Sequence, residues 1–166
     1  MRIGMKQQLV KYTFGFGMVL ALLTAASLAN GQNRREVRGR KMTKAQVKLI
    51  VDRVETRVDH FVKDFDASLD RSKLDGSGRE DGLNARARDL EHATDAMRAD
   101  FDRRSVWFDS REEVRRSINI ASDIDRTMRQ YSFGTVTEAN WNAVRYDLNS
   151  LADVYSLPRV GANAYR

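Results

Sequence analysis

The feature that most constrains this chain is the apolar stripe of residues 43–69. Val47, Val51, Val54, Val58, Phe61 and Phe65 follow one another at alternating steps of four and three, the spacing of one face of an α-helix. Ile50, Val62 and Leu69 widen that face. A strand would need strict alternation, and Arg53, Glu55 and Arg57 share the parity of Val47 and Val51. A stripe of this length has to be covered by other apolar faces, and three later segments carry them.

Leu83, Ala87, Leu90, Thr94, Met97 and Phe101 mark a second helix over residues 79–104. Val114, Ser117, Ile118, Ala121, Ile124, Met128 and Tyr131 mark a third over 111–131, with Gly134 placed to close it in the left-handed conformation. Trp141, Val144, Leu148, Leu151 and Tyr155 mark a fourth over 136–156, and Pro158 stops it. Start signals repeat ahead of these patterns. Thr43 with Gln46, Ser77 with Glu80, Asp109 with Glu112 (or Ser110 with Glu113) and Thr135 with Glu138 all have the capping-box spacing. Matched lengths and short connections predict an all-α fold over residues 43–157, an antiparallel four-helix bundle of up-down-up-down topology. Small residues at Ala87, Thr94, Ser117 and Ala121 leave room for Val, Phe and Trp side chains from facing helices. Asp59 with Lys63, Asp100 with Arg104, Glu112 with Arg116 and Asp125 with Arg129 read as exposed ion pairs.

Composition matters here for what it excludes. The 166 residues contain no cysteine, which removes disulfides, thiolate metal sites, covalent c-type haem and a lipidated N-terminal cysteine. The formal charge of +6 resembles a nucleic-acid signal until its distribution is followed. Residues 1–29 hold +3 and residues 30–44 hold +5, whereas residues 45–166 carry 20 basic and 22 acidic side chains. The helical body is therefore near neutral and has no general basic face, so no specific nucleic-acid partner is expected.

Ahead of the body, residues 1–29 have the form of a secretory signal, predicted as an N-terminal signal helix. Arg2, Lys6 and Lys11 precede an uncharged, mostly apolar run over 12–28, and Ser27-Leu28-Ala29 supplies small residues for a cut before Asn30. The alternative is an uncleaved membrane anchor, for which the run is at the short limit. Residues 30–42 are expected to form a flexible basic arm carrying Arg34, Arg35, Arg38, Arg40 and Lys41, a candidate element for an anionic surface. Residues 158–166 form a C-terminal tail.

A di-metal bundle needs inward acids and two E-x-x-H motifs, and only Asp89-x-x-His92 approaches one. His92 lies about 200° round the helix from Leu90 and so points outward, and His60 is off the centre of its stripe. The loop Asp75-Gly76-Ser77-Gly78 resembles the middle of a calcium-binding loop, but Lys73 and Asn84 stand where its two anchoring acids belong, so it reads as a turn and a cap. Asp64 and Asp66 project to opposite sides of a helix and cannot share an ion. No catalytic, cofactor-binding or metal residue is assigned.

Trp107 and Phe108, next to Arg103 and Arg104, are the candidate partner-binding residues; the competing reading makes the two aromatics a cap on the end of the core, over Trp141. The sequence thus points to an exported protein, periplasmic or extracellular, whose helical bundle is non-catalytic and binds or occupies space, with a protein or cell-envelope partner. Its alternatives are a membrane-tethered bundle facing outward that uses the basic arm at an anionic surface and, last, an exported metal or haem carrier.

Overall fold

A computed structural model describes residues 42–162; the expected signal segment, arm residues 30–41 and the end of the tail lie outside them. Four α-helices carry the described chain: α1 (Lys44–Leu69), α2 (Gly78–Arg103), α3 (Arg111–Gln130) and α4 (Thr135–Tyr155). No strand occurs among the described residues. The packing is a helical bundle in which α1 and α3 each lie against both α2 and α4. Neighbours run in opposite directions. Lys48, early in α1, meets Asp102, late in α2; Arg86, early in α2, meets Asp123, late in α3; and Asn140, early in α4, meets Asp64, late in α1.

The apolar stripes face one another as their spacing requires. Val47, Val51, Val54, Val58, Phe61, Phe65 and Leu69 are buried with Leu90, Met97, Phe101, Val114, Ile118, Leu148, Leu151 and Tyr155. Ala87, Thr94, Ser117 and Ala121 are fully buried and give the larger side chains room. Phe61 stacks on Phe65 at 5.2 Å and meets Trp141 at 5.0 Å. At that same end, Ser68 and Thr137 share a buried 2.6 Å hydrogen bond.

The helix starts follow the expected signals in two cases. Thr43 and Gln46 form the complete reciprocal capping box. Ser77 Oγ accepts from the Glu80 N–H at 3.2 Å, while the Glu80 carboxylate takes the Gly76 N–H at 2.6 Å. At α3 the expectation fails: neither Asp109 nor Ser110 caps it, because a 3-10 turn, Trp107–Ser110, runs straight into the helix. The Val106 carbonyl takes the Asp109 N–H and the Phe108 carbonyl takes that of Arg111, so the turn itself meets the first helical donor.

At α4, Thr135 is the first helical residue and not the cap. Gly134, at φ 86°, occupies the cap position and starts α4 instead of closing α3, which ends in extended backbone at Tyr131. Glu138, in the first turn of the helix, ties down the loop ahead of it, accepting from Phe133 N–H at 3.3 Å and the Ser132 hydroxyl at 2.9 Å.

α4 ends at Ser156 in the left-handed region, with the Leu157 N–H returning to Ala152 O at 2.8 Å, the Schellman closure. Beyond Pro158 the chain folds back over α3 and α4. Leu157 and Val160 are buried, the Val160 N–H donates to Asn149 Oδ1 at 2.8 Å, and the Gly161 N–H donates to Ser122 Oγ at 3.1 Å.

Candidate interaction face

The helices place the sequence-derived candidates as follows. Trp107 and Phe108 sit in the 3-10 turn, half-buried against Tyr155. Trp107 meets its ring edge-on at 5.4 Å, Phe108 stacks on it at 5.7 Å, and the Tyr155 hydroxyl donates to Trp107 O at 2.9 Å. Burial raises the Tyr155 pKa, and the nearby Asp100 charge adds to the shift. The aromatics therefore cap the core over Tyr155, not over Trp141, which lies against Phe61. Arg103 and Arg104 turn to Asp100, with Arg104 Nε 2.7 Å from Oδ2. The Arg104 guanidinium, above all, holds the Asp100 carboxyl below the usual carboxylate range. The buried Ser110 hydroxyl lies close enough to add to that shift without meeting hydrogen-bond geometry. The basic arm residues Arg34, Arg35, Arg38, Arg40 and Lys41 lie outside the described residues.

Both histidines are exposed. His92 borders a groove between α2 and α3 with Arg86, Asp89, Glu113 and Arg116, a wall of alternating charge. Carboxylate oxygens of Asp70, Asp75 and Glu80 lie within 4.8 Å of one another at the α1–α2 turn. One Glu80 oxygen is committed to the Gly76 N–H, which gives this group a structural role in the turn and cap.

Two buried carboxylates were missed from the sequence. Asp147, with no exposed surface, receives Arg53 Nε and Nη2 at 2.8 Å each and Arg57 Nη1 at 2.7 Å. Asp125, expected on an exposed face, is 1% exposed. It accepts from Arg129 Nε at 2.9 Å, Trp141 Nε1 at 3.1 Å and Arg145 Nη1 at 3.2 Å. Each lies on the flank of its helix's apolar stripe, where the next helix closes over it. The i, i+4 pair Arg53 and Arg57 was the available signal, since two arginines one turn apart on α1 can converge on a single carboxylate of a facing helix. With arginines on every side, these carboxylates are occupied as structural ion pairs.

The solvent side of α4 is what remains chemically unusual. An outward helix face normally carries charge. From Thr135 to Ser150 the outer side of α4 shows Val136, Ala139, Ala143, Tyr146 and the amides Asn142 and Asn149, bordered by the partly exposed Arg145, which donates to Asn142 Oδ1 at 3.0 Å, and Arg57, which donates to the Ala143 carbonyl at 3.1 Å. The charged residues of that span are each paired. Asp147 is buried toward α1, Arg145 turns to Asp125, and Glu138 turns to the helix start. Val136, Ala139, Ala143, Tyr146 and Ser150 repeat at steps of three and four, a second seam beside the one that faces the core.

Tyr146 is 69% exposed and Val136 65%, and Leu49, on α1, is 66% exposed. Leu49 is one helical turn before Arg53, which reaches across to α4 beside Tyr146, and its neighbour Ile50 shares a groove of about 310 Å³ with Met42 and Tyr146. Of the four large apolar side chains exposed among the described residues, two, Val136 and Tyr146, lie on this strip of α4. Tyr146 and Val136 thus stand among α4 residues that carry no charge of their own, with the partly exposed Arg53 one turn from Leu49.

No helix among the described residues is long and apolar enough to cross a membrane. The sequence matches no protein-family model, and no curated protein or solved structure is similar to it.

Proposed function

We propose that this chain is an exported helical-bundle protein that acts by binding through the outer face of α4, and not by catalysis. The observation that carries the reading is the exposure of Tyr146 and Val136, each about two-thirds, on an outer strip of α4 residues that carry no charge of their own. Burying such surface against a partner recovers hydrophobic free energy that solvent exposure forgoes. The buried carboxylates support the non-catalytic part, because arginine partners already occupy Asp125 and Asp147. Export rests on the sequence of residues 1–29, with its basic start, uncharged run and Ser27-Leu28-Ala29 end.

A second reading keeps the leader as an anchor and sets the arm against anionic lipid. It is favoured by one observation, the cations Arg34, Arg35, Arg38, Arg40 and Lys41 directly behind the apolar run.

Two measurements test these readings. Intact mass and N-terminal sequencing of the protein from soluble and membrane fractions of its native host are expected to find a soluble species that starts near Asn30. A full-length species confined to the membrane selects the anchored reading instead. For binding, a photoreactive side chain placed at Tyr146 is expected to couple to a macromolecule in the native host, whereas one placed at Val106 is not. Absence of any product from position 146 removes the binding role.

A further inference from the structure

We infer that residues 157–162 form a strap over the seam between α3 and α4, closed on a buried ion-pair cluster, which lifts as a unit while the four helices stay folded.

Of the neighbouring helix pairs, α3 and α4 pack against each other most sparsely. The chain that leaves α4 covers that seam. It turns at Ser156, where φ is 53°, and α3 holds the turn: Arg111 Nε donates to Tyr155 O at 3.0 Å and Nη2 to Ser156 O at 3.2 Å. Beyond Leu157 the strap is fastened to both helices through their side chains. The Val160 N–H goes to Asn149 on α4, the Gly161 N–H to Ser122 on α3, and Arg159 pairs with Asp153 on α4. Its apolar contribution to the core is only Leu157 and Val160. A segment with so few buried apolar groups and no helical hydrogen-bond ladder opens at a lower free energy than the helices beneath it.

The closed position is specified at Gly161. A Cβ there would stand 2.7 Å from Asp125 Oδ2 and 2.8 Å from Arg129 Nη2, and φ is +77°. Glycine alone lets the backbone lie this close in this conformation. The strap thus completes the cover of the buried Asp125 carboxylate, which also takes the Trp141 indole N–H, and lifting it opens one side of that cluster to water. Arg159 stands in the wall of the groove beside Tyr146, so the same movement reshapes that groove.

Thiol labelling of single-cysteine variants, produced in the native host and kept folded, tests the strap. The chain has no cysteine, so Val160→Cys places one thiol beneath it. That thiol is expected to react with an aromatic disulfide reagent more slowly than Ala99→Cys, exposed on α2, and at a rate that dilute urea leaves nearly unchanged. Val144→Cys, at a fully buried core position, is expected to react only through global unfolding and to accelerate steeply with urea. Gly161→Ala is expected to speed the reaction of Val160→Cys about tenfold or more. Ser122→Ala, which removes the acceptor of the Gly161 N–H, is the second variant where Gly161→Ala does not fold, with an expected gain of about two- to tenfold. Gly134→Ala carries a like backbone penalty far from the strap, with no atom within 4 Å of the added carbon. It is expected to speed Val144→Cys and to leave Val160→Cys unchanged.

A Val160→Cys thiol with the urea dependence of Val144→Cys, or one speeded equally by Gly134→Ala, opens only with the whole bundle and overturns the inference. So does a rate that neither Gly161→Ala nor Ser122→Ala raises. Reaction of both Val160→Cys and Leu157→Cys as fast as Ala99→Cys also overturns it, because the strap is then not closed.

Discussion

At single residues, the ion pairs of this bundle differ according to which partner is buried. Asp147 has no exposed surface, whereas Arg53 and Arg57 keep part of theirs in water. Removing the arginines strands a desolvated charge, but removing the carboxylate lets the arginines turn to solvent. The double substitution Arg53→Met with Arg57→Met is therefore expected to cost about 3–5 kcal/mol in urea unfolding. Asp147→Leu is expected to cost clearly less, and equal losses would contradict this account. Asp100 shows a second kind of pair. Its carboxyl is held low chiefly by Arg104, so ionisation favours the folded state. That contribution is complete above the unfolded carboxylate pKa of about 3.9 and is lost as pH falls through the lower folded value. Asp100→Asn is expected to flatten the acid limb of a stability–pH curve measured by thermal melts. Asp59 has the opposite sign. Burial, then Glu55 and Asp95, raises its pKa, so its ionised form opposes folding. Asp59→Asn is expected to raise the melting temperature at neutral pH and to lose that advantage below the ordinary carboxylate range.

Among the helices, the four starts show how much local sequence decides. The complete box at Thr43 and the cap at Ser77 need only side chains three residues apart, and both form as spaced. The α3 start depends on Trp107 and Phe108 reaching Tyr155, which draws the chain into a 3-10 turn and removes the need for a cap. At α4 the reversal after Phe133 requires positive φ, and Gly134 supplies it. A Cβ there meets no neighbouring atom within 4 Å, so Gly134→Ala isolates the backbone term. It is expected to cost about 1–3 kcal/mol, read as a lower urea midpoint with unchanged slope.

For the molecule as a whole, stability resides in the shared core. Phe61→Ala and Leu148→Ala, both at fully buried positions, are each expected to lose about 2–5 kcal/mol, while His92→Ala on the exposed side of α2 is expected to be nearly neutral in the same melts. The positions of these side chains were legible in the sequence, because helical periodicity is a local property and each stripe states its own inward face. Helix number, approximate boundaries, the outward histidines and the lack of disulfides followed from the same information. The fates of Asp125 and Asp147 did not, since an acid on the flank of a stripe is solvated or buried according to which neighbour closes over it and whether that neighbour brings arginines. Nor did the aromatic cap choose Tyr155 over Trp141 in sequence terms, because both are aromatic residues on the same stripe of α4. The outer side of α4 was readable as a second spacing all along. It became a candidate interface only when tertiary packing turned Asp147, Arg145 and Glu138 inward or aside and left Tyr146, Val136 and Leu49 facing solvent. Periodicity thus determined the helices from the sequence alone; which charges were neutralised, and which face remained bare, depended on contacts between residues far apart in the chain.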